Sequence, residues 1–144
     1  MRVVIAEDQV LLRDGVARML TEAGHTVVAE VGDARQLVQQ VSLQRPDLVV
    51  TDIRMPPGHG DDGARAAVLL RERFADLAVV VLSQVVEPVL ADLVANGAAG
   101  FGYLLKDRVL DVETFLEQVS LVAAGGTVVD PTVVAGLLRR AGDP

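Results

Sequence analysis

Short apolar runs alternate with longer amphipathic stretches along most of the chain. Five runs carry apolar or β-branched residues on both faces, a pattern typical of strands buried in a parallel sheet: residues 2–6, 25–31, 48–51, 78–82 and 100–105. After each run, apolar residues recur at helical spacing, which predicts helices over about residues 9–23, 33–43, 62–74, 86–95 and 111–124. This alternation predicts an α/β fold, with a parallel sheet, helices on both of its faces and right-handed crossovers.

Residues that start and stop helices agree with these boundaries. Gly24 ends the first helix, and Asp33 can cap the second. A loop rich in Pro and Gly covers residues 55–60, and Asp61 or Asp62 caps the helix that follows it.

The tail after residue 125 is predicted to be separate from the sheet. Asp130 can cap a short amphipathic helix, and Pro131 then occupies its first position. The helix is predicted to end at a pair of arginines, Arg139 and Arg140. We therefore expect one domain over residues 1–125, and over residues 126–144 an extra C-terminal helix with the start of a linker.

Composition narrows the class of protein. The chain has 144 residues, 51% of them apolar, which fits one domain with a real core. It has no cysteine, which excludes disulfides and thiolate metal sites and is consistent with a reducing cytoplasm. No apolar run approaches the length of a membrane span. The net charge of −7 argues against DNA binding by the surface of this segment. It suits a site that binds divalent cations.

Polar residues follow the predicted strands where each strand ends. Glu7 and Asp8 come directly after the first strand, Asp52 ends the third, Ser83 ends the fourth, and Lys106 ends the fifth. Because the carboxyl ends of parallel strands meet at one edge of a sheet, we expect these side chains to converge there.

This set of side chains suits metal-assisted phosphoryl chemistry. Crowded carboxylates repel one another, and Mg²⁺ would relieve them, since it takes one or two carboxylates together with waters and a phosphoryl oxygen. Asp52 can then act as a nucleophile toward phosphorus, because aspartyl phosphates are established covalent intermediates. Lys106 would neutralise the phosphoryl group, and Ser83 could donate a hydrogen bond to it.

At these positions the chain resembles the receiver domain of bacterial two-component response regulators. The matching residues are Glu7-Asp8, Asp52, Met55-Pro56, Ser83, Tyr103 and Lys106. The run from Gly100 to Asp107 is similar to the LuxR/NarL type. The resemblance implies a flavodoxin-like fold with five strands in the order 2-1-3-4-5.

The resemblance also implies a function. Asp52 would accept a phosphoryl group from a histidine kinase, with Mg²⁺ held by Glu7, Asp8, Asp52 and the backbone carbonyl of Arg54. Ser83 and Tyr103 would form the switch, while Lys106 would assist the transfer. The protein would be a cytoplasmic signalling domain rather than an enzyme. It would catalyse only its own phosphorylation and dephosphorylation. It would form a homodimer, would not contact a membrane, and would reach DNA through a helix-turn-helix domain that follows the receiver.

Two other classes of protein deserve comparison. A phosphotransferase of the haloacid-dehalogenase kind also uses an aspartate at a strand end, but it needs a second acid two residues on, where this chain has Arg54. Arg54 itself is either a solvent-facing charge or a gate beside the phosphoryl group. A pseudo-receiver would bind partners or dimerise without phosphorylation. Gln84 favours that alternative, because the family usually has a small residue beside the hydroxyl.

Overall fold

Six strands form one parallel sheet in the part of the chain that the structure, a computed structural model, describes: residues 1–56, 62–84, 99–130 and 135. The strands are β1 (Arg2–Ala6), β2 (Thr26–Val31), β3 (Leu48–Asp52), β4 (Ala78–Ser83), β5 (Phe101–Leu105) and β6 (Thr127–Val129). Their order across the sheet is β2-β1-β3-β4-β5-β6. The α/β class and the order of the first five strands are confirmed.

The predicted count of five strands is wrong, because β6 adds a sixth. β6 pairs with β5 in parallel, from Phe101 opposite Thr127 to Tyr103 opposite Val129. The sequence analysis assigned these residues to the tail, since three residues after a glycine pair are too short to show a strand period. The division of the chain after residue 125 remains a prediction, but the sheet itself continues to Val129.

Four α-helices lie within the described ranges: α1 (Val10–Glu22), α2 (Ala34–Gln44), α3 (Asp62–Arg73) and α4 (Val112–Ala123). A 3-10 helix, Lys106–Leu110, connects β5 to the last of them. Asp33 caps α2 as predicted, because its side chain accepts a hydrogen bond from the Gln36 N–H at 2.7 Å. The predicted helix over residues 86–95 lies outside the described residues. So does the predicted tail helix, apart from Ala135, which is helical.

The pleat of the sheet divides the core into two layers. Side chains alternate along each strand, so Val3 and Ile5 face one layer while Val4 and Ala6 face the other. The first layer holds α1 and α4, packed through Val16, Leu20, Phe115, Val119 and Val122. The second layer holds α2 and α3, packed through Leu37, Val41, Ala64, Ala67 and Leu70. Burial on both faces explains why the central strands β3 and β4 are apolar at nearly every position, whereas the edge strand β2 is only partly buried.

Candidate functional site

The register of the sheet brings the predicted site residues to one edge. Asp52 is the last residue of β3 and lies opposite Leu82, while Ser83 is the last residue of β4 and lies opposite Leu105. Lys106 follows directly after β5, and Glu7 follows directly after β1. Because all the strands are parallel, these positions lie together at the carboxyl edge of the sheet.

A lysine bridges two acids at this edge. The Lys106 Nζ lies 2.9 Å from Asp52 Oδ2 and 3.0 Å from Glu7 Oε1. All three side chains are largely buried, with 11% of the lysine, 6% of the aspartate and 3% of the glutamate exposed. A buried carboxylate needs such a partner, since an unpaired charge in the interior is costly.

Three carboxylates cluster around the same point. Glu7, Asp8 and Asp52 each offer an oxygen, and these oxygens lie within 4.8 Å of one another. Glu7 and Asp52 are buried, whereas Asp8 is the more exposed of the three. One ammonium group therefore faces more than one negative charge in a partly desolvated site.

The backbone holds Glu7 where its charge is disfavoured. Its Oε2 accepts a hydrogen bond from the Gln9 N–H at 3.1 Å, and its carbonyl accepts one from Arg13 Nη1 at 2.9 Å. The pKa of the Glu7 carboxyl is raised from 4.5 to about 7, chiefly by burial and also by the negative charge of Asp52, whereas the hydrogen bond from the Gln9 N–H acts in the opposite direction. Glu7 thus carries its charge at a free-energy cost.

The pKa of Lys106 is also raised, but here the raised pKa favours the charged form. Burial alone lowers the pKa of an ammonium group, but the hydrogen bonds and charges of Asp52 and Glu7 outweigh it, so the net pKa of Lys106 is raised. The lysine therefore remains a cation over the physiological range of pH.

The donor set fits a hard divalent cation. Carboxylate oxygens are the ligands that Mg²⁺ prefers, and three of them converge here. Glu7 Oε1 is buried and faces the Lys106 ammonium at 3.0 Å, and a carboxylate oxygen can accept more than one such contact. Such an oxygen has the capacity to accept a metal ion or a metal-bound water.

The other predicted site residues lie close by in the sheet. Ser83 is 2% exposed. Side chains alternate along β4, so Ser83 faces the same side of the sheet as Val79 and Val81, which is also the side that Tyr103 faces. Tyr103 is fully buried. The Arg54 N–H donates a long hydrogen bond, 3.4 Å, to Asp52 Oδ1.

Two further features of the sequence adjoin the site. Gln84 is exposed. Phe101 and Gly102 are regular members of β5, opposite Val79 and Val80, and produce no bulge in the register with β4. The long loop that carries His59 lies outside the described residues.

Gly63 is a structural requirement of the site that the sequence analysis missed. It lies in the first turn of α3, where its N–H donates to the Ile53 carbonyl at 2.8 Å. A Cβ at this position would collide with the backbone carbonyl oxygens of Asp52 and Ile53. Glycine therefore lets α3 begin directly against the chain that leaves Asp52. A Gly after two aspartates at a helix start was a visible signal, but the close approach depends on tertiary packing.

Comparison with known proteins identifies the family that carries this site. The profile of the response regulator receiver domain matches residues 3–118. The chain belongs to the response regulator receiver family. Receiver domains are signalling domains rather than classical enzymes. The resemblance given by the strand-end residues is therefore confirmed.

The receiver is similar to parts of longer transcription regulators. It is 34% identical over 141 residues to the transcriptional regulatory protein DegU of Brevibacillus brevis, covering 96% of this chain and 57% of that protein. It is 37% identical over 141 residues to the probable transcriptional regulatory protein NarL of Mycobacterium tuberculosis, covering 94% of this chain and 61% of that protein. The chain thus spans little more than half the length of these relatives.

A solved structure supports the fold. The isolated receiver domain of RcsB from Salmonella enterica serovar Typhimurium superposes with a TM-score of 0.75 at 22% identity, covering 94% of this chain and 96% of that one. Among the described residues, no helix has the length and apolar character needed to span a bilayer.

Proposed function

We propose that this receiver accepts a phosphoryl group on Asp52 from a histidine kinase and passes its phosphorylation state to a DNA-binding output domain. The observation that supports this most strongly is the contact of Lys106 Nζ with Asp52 Oδ2 at 2.9 Å, inside the cluster with Glu7 and Asp8. A carboxylate held beside a cation at a strand end is placed to react and to have its product neutralised.

The transfer replaces one bond to phosphorus by another. A carboxylate oxygen of Asp52 bonds to phosphorus while the bond from phosphorus to the donor nitrogen breaks, and that bond's electron pair stays with the nitrogen. Lys106 pairs with the added phosphoryl charge, and Ser83 donates a hydrogen bond to it. Glu7, Asp8, Asp52 and the carbonyl of Arg54 would hold Mg²⁺, which would supply positive charge to stabilise the transferring phosphoryl group. Hydrolysis of the acyl phosphate at the same site returns the resting state.

The signal leaves the site through the switch pair. A phosphoryl group on Asp52 draws Ser83 inward, and Tyr103 follows on the same side of the sheet. The phosphoryl group changes the populations of two states only by its differential interaction with them. The protein acts in the cytoplasm, dimerises when phosphorylated, and reaches DNA through an additional helix-turn-helix domain.

The pseudo-receiver alternative predicts a site that cannot react. The acids and the lysine are present, and Lys106 contacts both Glu7 and Asp52. These observations support phosphorylation over partner binding alone.

The proposal is tested by incubating the protein with acetyl phosphate and Mg²⁺ and measuring intact mass. The wild type should gain one phosphoryl group. Asp52→Asn should gain none, because the amide has nearly the same shape but is a poor nucleophile. Asp47→Asn is the matched control, since Asp47 lies at the opposite edge of the sheet, where its carboxylate accepts the Arg2 N–H. An undiminished mass gain in Asp52→Asn, or no gain in the wild type, would overturn the proposal.

A further inference from the structure

An ion pair joins the turn after Lys106 to the end of β6. The Nε of Arg108 lies 2.6 Å from Asp130 Oδ2. The aspartate side chain is only 2% exposed, whereas half of the arginine side chain is exposed. The carboxylate is therefore the more desolvated end of the pair, and an ion pair with a buried carboxylate is costly to break. We call this pair the Arg108–Asp130 clasp.

The clasp has one end next to the phosphorylation site. Arg108 belongs to the 3-10 helix that begins at Lys106, and Lys106 contacts Asp52 and Glu7. A single residue, Asp107, separates Lys106 from Arg108 within this short helix, so the backbone positions of the two are linked.

The other end of the clasp is the point where the chain leaves the sheet. β6 runs parallel to its neighbours, so it delivers Asp130 to the carboxyl edge, where the site residues lie. The Asp130 N–H donates to the Tyr103 carbonyl at 2.9 Å. Asp130 is therefore bonded twice to the segment from Tyr103 to Arg108.

We propose that the Arg108–Asp130 clasp couples the placement of Lys106 in the phosphorylation site to the anchoring of the chain that follows β6. This inference rests on the proposed function, since it assigns the path by which that site acts on the C-terminal segment. Arg108 is a positioning residue, because it acts through the Lys106 turn and does not contact the acids of the site.

Coupling of this kind works in both directions. If a phosphoryl group on Asp52 changes the stability of the clasp, the clasp must change the affinity of the site for a phosphoryl mimic by the same factor. A purely structural ion pair would stabilise the fold equally in both states and would leave that affinity unchanged.

Amide hydrogen exchange with and without beryllofluoride and Mg²⁺ tests the proposal, with fluorine NMR of the bound mimic as an independent measure of binding. In the wild type, the mimic should change the exchange rate of peptides containing Thr127–Asp130 by about fivefold or more. Arg108→Gln and the double variant Arg108→Gln/Asp130→Asn should retain bound fluorine signals but lose most of that change. The double variant keeps the test usable if loss of the arginine cation beside the buried Asp130 carboxylate unfolds the single variant.

The controls separate coupling from stability. Arg71→Gln removes a part-buried arginine at the opposite edge, so it should lower stability yet keep the response of β6. Arg108→Lys should restore part of the response. Two outcomes would overturn the coupling proposal alone: the double variant binds the mimic and β6 responds as in the wild type, or the wild type binds the mimic and β6 does not respond. If the wild type does not bind the mimic, both the proposed function and the coupling proposal are overturned.

Discussion

The two edges of the sheet use charged residues in opposite ways. At the amino edge, Arg71 Nη1 donates to the Leu77 and Gly100 carbonyls at 3.0 and 3.1 Å, and Arg2 Nη2 donates to the Gln44 carbonyl at 2.7 Å. These cations satisfy carbonyl groups at the starts of strands and the end of a helix. At the carboxyl edge, acids crowd around one lysine and one of them has its pKa raised to about 7.

The contrast indicates where stability and function are located. The amino edge pairs cations with carbonyl oxygens, an arrangement that lowers the free energy of the fold. The carboxyl edge keeps like charges together, an arrangement that is unfavourable until a divalent cation enters it. Substitutions at the amino edge should therefore change stability more than phosphorylation, and substitutions at the carboxyl edge should do the reverse.

Removal of Lys106 should have the largest effect. Lys106→Ala should slow phosphorylation by acetyl phosphate about a hundredfold, because no cation then neutralises the developing charge. Arg71→Gln should leave the rate within about twofold and lower the free energy of unfolding by about 1–3 kcal/mol through its lost backbone hydrogen bonds. Initial rates of mass gain and urea unfolding measure the two effects. Equal losses of rate in both variants would remove the contrast between the edges.

Two glycines sharpen the comparison at the level of the backbone. Gly63→Ala places a Cβ against the carbonyls of Asp52 and Ile53, and should cost about 3 kcal/mol of stability and displace the site. Gly15→Ala, in the middle of α1, meets no atom within 4 Å and should stabilise the protein by up to about 1 kcal/mol. Thermal and urea unfolding of the pair supply the measurement. A Gly63→Ala protein as stable as the wild type would show that α3 does not need this close approach.

The pH dependence of stability should expose the cost of Glu7. The pKa of Glu7 is about 7 in the folded protein, against an ordinary value of 4.5 that we take for the unfolded chain. Between these two values of pH, the folded protein therefore binds more protons than the unfolded chain. The free energy of unfolding of the metal-free protein should therefore fall as pH rises through this window. Glu7→Gln should remove that fall and be more stable than the wild type by about 1–3 kcal/mol near pH 8. Urea unfolding across pH would contradict this if the variant were the less stable protein at high pH.

Magnesium should have the smallest effect on stability, and only at the carboxyl edge. Binding to the folded state should raise the free energy of unfolding by about 1 kcal/mol at a concentration several times the dissociation constant. Asp8→Ala should lose most of this gain, whereas Asp47→Asn should keep it. Unfolding curves with and without Mg²⁺ provide the measurement, and an unchanged gain in Asp8→Ala would argue against Asp8 as a ligand.

Much of the fold was predictable because its signals are local. The five apolar runs fix β1 to β5, the helical periodicity fixes α1, α2 and α4, and parallel pairing brings the strand-end residues to one edge. Even so, Val112 shares one helical face of the sequence with Phe115 and Val119, yet it is 43% exposed while they are buried. It lies at the first position of α4, where the helix has little of the core beneath it.

The features that the sequence did not predict depend on tertiary contacts. β6 has three residues and gains its hydrogen bonds from β5, so no local period marks it. Asp130 was interpreted as a helix cap, and its ion pair with Arg108 depends on a sequence separation of 22 residues. The close approach of Gly63 to Asp52 likewise depends on how α3 packs against the end of β3.

The most direct test of the account locates the phosphoryl group within the chain. The protein is phosphorylated with acetyl phosphate and Mg²⁺, reduced with borohydride, which converts an aspartyl phosphate to homoserine, and mapped by tandem mass spectrometry. The account predicts homoserine at position 52 in the wild type and its absence when Mg²⁺ is withheld. Homoserine at another aspartate, or none at position 52 in a protein that has gained a phosphoryl group, would contradict it.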